Sequence, residues 1–196
     1  MKREVIRPGD CEGRRRAGRW PASAWLPGGL ACLWALYMGP LRLNLSSSIP
    51  VGWYLARDIG LERSVRRGTL VTACLPAAIA SWGRARGYLH RGSCTDGTAP
   101  VGKSIFAVAG DTVTVRSSGL SLNGQATPGT TALPRDSEGR ALGRVPDGRY
   151  AVRPGEVWLI STYSPRSWDS RYIGPVPAST IVSALRPLWI FAGQAR

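Results

Sequence analysis

From residue 52 onward, apolar positions come in short runs broken by glycine, proline and small polar residues, a pattern that predicts strands rather than long helices. Gly52 to Ala56, Thr69 to Cys74 and Val101 to Val108 are the first expected strands. Between them, Pro76 to Leu89 carries alanine and arginine at loosely helical spacing, and Gly92 to Pro100 reads as a loop. Gly110-Asp111 turns the chain into Thr112 to Arg116, where Val113 and Val115 alternate with Thr112, Thr114 and Arg116 as in a half-buried strand. Leu120 to Leu122 then meets Asn123-Gly124, a strong two-residue hairpin signal. Arg149 to Val152, a turn at Arg153-Pro154-Gly155-Glu156 and Val157 to Ile160 complete the series. The expected fold is mainly β, with a core over about 44–124 and 149–190 and a subdomain or mobile excursion at about 125–148.

The segment ahead of these strands has a different character. Trp20 to Leu41 is 22 residues long without a charge, enough to span a bilayer that needs roughly 20. Trp20, Trp25, Trp34 and Tyr37 suit interfacial anchoring, and Arg14, Arg15, Arg16 and Arg19 crowd one flank. We read residues 1–19 as a basic cytoplasmic tail, 20–41 as an uncleaved transmembrane anchor and 42–196 as an exported domain. A buried soluble helix and a cleaved signal peptide are the alternatives, the latter usually having a shorter apolar core of about 7–15 residues.

Charge narrows the partners. The chain carries 26 Lys and Arg against 12 Asp and Glu, a formal net charge of +14, spread over the tail and the exported part alike. No basic run alternates with stacking aromatics, so an anionic membrane surface is the stronger reading and direct nucleic-acid binding is not expected. Of the 4 cysteines, Cys11 and Cys32 fall in the tail and the span, whereas Cys74 and Cys94 would share an oxidising compartment. A Cys74–Cys94 disulfide is expected there, with two buried thiols as the alternative. The single histidine, His90, and the dispersed cysteines give no zinc spacing, so no metal site is expected.

Only Lys2 and Lys103 are lysines among the 26 basic residues. Arginine is never deprotonated in practice, but a lysine in apolar surroundings can lose its proton and act as a base. Lys103 lies in Val101-Gly102-Lys103-Ser104-Ile105-Phe106, where it would share a strand face with Val101 and Ile105. A lysine snorkelling from an edge strand is the plainer alternative.

Three blocks resemble one family. Asn44-Leu45-Ser46-Ser47-Ser48-Ile49-Pro50-Val51-Gly52-Trp53-Tyr54 resembles the N-x-S/T-x-S-x-P-x-G-x-Y box of the TraF-type conjugative transfer signal peptidases, in the signal peptidase I superfamily. Lys103 to Asp111 is similar to the family's K-R-x5-G-D, with Ser104 in place of the arginine. Ser167 to Pro177 is similar to the block S-x-D-S-R-Y-x-G-x-V-P. Ser161-Thr162-Tyr163 stands where general signal peptidases carry Gly-Asp-Asn. General signal peptidases also have one more residue between the nucleophile and the proline.

The resemblance implies a signal peptidase I-like β fold with a Ser-Lys dyad and no cofactor. Ser48 would be the nucleophile and Lys103 the general base. Ser167 would orient the lysine, Ser46 and the Ser48 amide would form the oxyanion hole, and Asp169 would pair structurally with Arg171. The implied substrate is the precursor of a conjugative pilin, in some systems cyclised, presented at the periplasmic face of a bacterial inner membrane to a DNA-transfer apparatus. A general signal peptidase acting on exported preproteins and a non-catalytic membrane-anchored assembly factor are the competing readings.

Overall fold

The computed structural model describes residues 39–58 and 65–191. The expected tail, residues 20–38 of the expected span, Cys11 and Cys32 lie outside them. All the elements below belong to the unit that begins at Pro40, and no described helix is long and apolar enough to cross a membrane.

The alternation in Thr112-Val113-Thr114-Val115 folds as read, with both valines buried in a strand that spans Thr112–Arg116. In chain order the strands are β1 (Leu41–Asn44), β2 (Gly52–Asp58), β3 (Leu70–Ala73), β4 (Val101–Ala107), β5 (Thr112–Arg116), β6 (Gly119–Leu122), β7 (Gln125–Thr127), β8 (Gly148–Ala151), β9 (Glu156–Ile160), β10 (Val176–Pro177) and β11 (Ile181–Ile190). Among the described residues two α-helices interrupt them, α1 (Ala77–Ala85) after β3 and the single turn α2 (Ser170–Ile173) after β9, and a 3-10 turn at Ala178–Thr180 leads into β11. Seven strands form one antiparallel sheet in the order β1-β2-β11-β3-β4-β9-β10, and four form a second in the order β7-β6-β5-β8.

Asn123 and Gly124 form the two-residue loop between β6 and β7, with φ of 51° and 85°. Both fall in the left-handed region, which asparagine and glycine tolerate better than other residues. The excursion read at 125–148 therefore begins as strand β7. Its remainder is held against α1 and the loop after it: Arg86 donates to the Ala141 carbonyl at 2.7 Å, and Arg140 donates to the Arg86 carbonyl at 2.8 Å. The Tyr88 hydroxyl donates to Asp136 at 2.5 Å.

The pattern at Ile181–Ile190 is a strand that sequence reading did not separate out. Arg186 and Pro187 break its apolar run. Proline cannot donate to a ladder, and Pro187 sits beyond the stretch of β11 that pairs with β3, next to a register shift against β2.

Two main clusters of buried side chains flank β4 and β9. One joins Val71, Ala73, Ile105, Val157 and Leu159 with Ala80 of α1, and the other joins Ala107, Trp158 and Ile160 with Val113, Val115 and Leu120 of the second sheet. The register of β4 against β9 shifts between Ile105 and Ala107, which lets one strand feed both clusters. A third cluster, Ile49, Tyr54 and Leu185, lies under the turn between β1 and β2.

Candidate active site

Asn44 ends β1, and its short amide organises the turn after it. Its Nδ2 donates to the carbonyls of Ser46, Ile49 and Pro50 at 2.9, 3.1 and 3.1 Å. Its Oδ1 accepts from the Ser46 amide at 3.1 Å and from the Ser46 hydroxyl at 2.7 Å. The Tyr54 hydroxyl donates to the Pro50 carbonyl at 2.5 Å from below, and Ile49 is buried beside Tyr54 and Leu185. Ser48 precedes that buried isoleucine and is presented half-buried at the head of the turn.

Lys103 reaches this turn from β4, and only 4% of it is exposed. Its Nζ donates to Ser48 Oγ at 2.8 Å and to Ser167 Oγ at 2.7 Å. Burial pushes the ammonium down to about 8, against a partial upward pull from Asp169 and with a further push down from Arg171. An amine so placed is neutral in a useful fraction of molecules near pH 8, which is what a serine needs of a base.

Ser167 is fixed by its neighbours on the C-terminal side. Asp169 caps α2 by accepting from the Arg171 amide, and its carboxylate meets the Arg171 guanidinium through two bonds of 2.9 Å each. The pair is almost fully buried. The guanidinium also donates to the carbonyls of Thr131, Ser164 and Ser167 at 3.2, 3.4 and 2.9 Å. A bidentate pair with further acceptors of this kind suits arginine and could not be made by lysine. Behind Ser167, the Trp168 ring stacks on Trp82 of α1 at 5.5 Å, and Gly83 lets the helix come this close, since a Cβ there would lie 2.6 Å from Trp168 Cζ3.

Ser48, Lys103 and Ser167 thus meet at hydrogen-bond distance, with Asp169 and Arg171 directly behind. Ser46 does not bond to either Ser48 or Lys103; its hydroxyl proton is directed at Asn44. Cys74 and Cys94 form the expected disulfide, with their Cα atoms 5.7 Å apart, tying the end of β3 to the loop after α1. Among the described residues no group of three or more metal-ligating side chains occurs. Sequence reading gave Asn44 no role, although an asparagine two residues ahead of a serine-rich turn is a local signal for a side chain that bonds the backbone. It also left Ser161 without a role; that residue contacts Ser48 across 113 positions, a distance no local pattern reports.

The model of the signal peptidase, peptidase S26, family matches residues 28–189. The chain belongs to that family. Its relatives include the conjugal transfer protein TraF of Agrobacterium tumefaciens, 38% identical over 80% of this chain and 86% of that one. A plasmid transfer protein TraF of Escherichia coli is 34% identical over 82% of this chain and 90% of that one. Among solved structures, a signal peptidase I from Enterococcus faecalis is similar at 18% identity and a TM-score of 0.35, over 62% of this chain and 96% of that one. The S26 family is a family of peptidases, so the chemistry to be explained is peptide-bond cleavage.

Proposed function

We propose that this S26 peptidase is a membrane-anchored serine endopeptidase that uses a Ser48–Lys103 dyad to mature a pilin precursor for a conjugative DNA-transfer apparatus. The observation that carries the mechanism is the buried Lys103 amine, 2.8 Å from Ser48 Oγ, with burial holding it well below an ordinary lysine. Neutral Lys103 takes the Ser48 proton as Oγ attacks the substrate carbonyl, and returns it to the amine that leaves. Water, deprotonated by the same lysine, then attacks the acyl-enzyme and frees Ser48. Ser167 holds the lysine amine in line. The Ser48 amide receives the developing oxyanion, joined by Ser46 once its hydroxyl turns from Asn44; one such donor is typically worth about 3–4 kcal/mol.

The relatives named for conjugal and plasmid transfer support the transfer apparatus as partner, and the pilin precursor as substrate is what the motif resemblance implies. Membrane anchoring, with the N-terminus cytoplasmic and the catalytic domain on the periplasmic face of an inner membrane, rests on the uncharged run from Trp20 to Leu41 and on the surface beside the site. Leu43, Trp53, Leu188, Trp189, Ile190 and Phe191 are all exposed, and Trp53 stands opposite both Leu43 and Trp189 in the strand register. Six large apolar side chains at one edge of a sheet, two of them tryptophan, suit contact with lipid headgroups and acyl chains.

Purified protein in detergent, given a cognate pilin precursor and a general secretory preprotein with an equally small residue pair at its cleavage site, tests the reading. The precursor should be cut much faster, and Ser48→Ala and Lys103→Arg should each abolish cutting in folded protein. Full cleavage by Lys103→Arg would remove the dyad, and equal kcat/KM values would make the protein a general signal peptidase.

A further inference from the structure

Ser161 comes directly after the last residue of β9 and is 2% exposed. Its amide donates to Asp169 Oδ2 at 3.0 Å, and its hydroxyl donates to the Ser48 carbonyl at 2.5 Å while accepting from the Ser164 amide at 3.2 Å. With the Ser164 amide occupying the oxygen, the hydroxyl proton is committed to Ser48. The carbonyls of Ser46, Ile49 and Pro50 are all held by Asn44. The carbonyl of Ser48 is not held by Asn44, and Ser161 holds it from the opposite wall of the site.

We propose that Ser161 is a positioning residue for the nucleophile. By fixing the Ser48 carbonyl it anchors the main chain of Ser48 in the turn, and with it the place from which Oγ faces Lys103 Nζ. The inference rests on the Ser48–Lys103 reading above.

A structural role for the same hydroxyl, holding the 161–164 turn and through it Ser167, would act on Lys103 instead. The two differ in what they change. A brace on Ser48 affects the turnover step and leaves the titration of Lys103 alone, whereas a shifted 161–164 turn disturbs Asp169, which accepts the Ser161 amide and pulls the lysine upward, and so moves that titration.

The full chain in detergent with its pilin precursor is assayed as Ser161→Ala and Ser161→Thr, across pH, with Tm recorded. For Ser161→Ala kcat should fall about 10- to 100-fold, the scale set by a misplacement of about 1 Å at a reacting group. KM should stay within about twofold, the apparent pKa of kcat/KM should not move, and Ser161→Thr should recover most of the loss. If Ser161→Ala does not fold, Ser161→Cys keeps the volume with a much weaker donor and should show the same split between kcat and KM. Unchanged kcat, a loss that comes with a moved pKa, or a loss that tracks Tm and is not restored by threonine would each overturn the proposal. Ser48→Ala and Lys103→Arg run alongside: if either cuts, the dyad reading fails and this proposal with it. If both are dead while Ser161→Ala is fully active, only the role of Ser161 falls.

Discussion

Arg171 donates from Nη2 to the Ser167 carbonyl at 2.9 Å, so the residue that holds the Lys103 amine is itself held by a buried guanidinium. The same guanidinium neutralises Asp169, whose second oxygen accepts the Ser161 amide. One ion pair therefore governs two points of contact with the Ser48–Lys103 pair.

Arg171→Met should destabilise the protein by about 3–5 kcal/mol, because it leaves Asp169 charged and buried without its guanidinium partner. Adding Asp169→Asn should return part of that loss. Urea unfolding midpoints measure both, and a loss under about 1 kcal/mol for the single variant would mean the pair contributes little.

Activity should rise with pH through an apparent pKa near 8, because charged Lys103 cannot accept a proton and the neutral form gains ground above that value. Stability carries the same signature. Folding lowers the lysine from 10.5 to about 8, so the unfolded chain binds more protons between those values and stability increases as pH rises through the window. Lys103→Met should be inactive and free of this cost, which is on the order of 3 kcal/mol at pH 7 and under about 1 kcal/mol at pH 10. Denaturant titrations of both proteins at the two pH values should show the wild type gaining on the variant as pH rises; parallel curves would contradict the buried charge.

Gly102→Ala tests the seat of the Ser48 turn. A Cβ at this position would lie 3.1 Å from Ile49 Cδ1 and 3.4 Å from Ile49 Cγ1, so Ile49 has to move by a few tenths of an ångström and carry Ser48 with it. The expected result is a kcat lowered about 10-fold with little change in Tm. Wild-type kcat would show that the turn absorbs the shift.

The Cys74–Cys94 bond closes a separation of 20 residues, a loop whose closure is worth about 3 kcal/mol in the unfolded chain. The doubly serine-substituted protein should lose about that much in urea titration, and so should the wild type after reduction. Equal stability with and without reductant would assign the thiols a packing role only.

Much of this architecture was legible in the sequence because it rests on local periodicity. The face shared by Val101, Lys103 and Ile105, the alternation in β5 and the Asn123-Gly124 turn all come from short-range rules, and the structure has them. β11 was not legible, since Arg186 and Pro187 interrupt its pattern and its place between β2 and β3 is a matter of long-range pairing. Within the site, Ser48, Lys103 and Ser167 came from motif resemblance, and they lie within one hydrogen-bonded group. Ser161 stood out only as a departure from Gly-Asp-Asn, and its contact was not legible because its partner is distant in the chain. The oxyanion role read for Ser46 depends on where one hydroxyl proton points, and Asn44 determines that from two residues away.

The order of strands has a consequence for synthesis. β2, which comes after the Ser48 turn, joins the rest of its sheet only through β11, because its other neighbour is β1 at the edge. β4, which bears Lys103, sits on the far side of β11 and β3. A growing chain therefore has no continuous strand ladder between the Ser48 turn and the strand of Lys103 until residues 181–190 have emerged and paired. The seven-stranded sheet that carries both residues is completed by the last of its described strands to be made, so the ladder between the Ser48 turn and Lys103 is among the late events of folding.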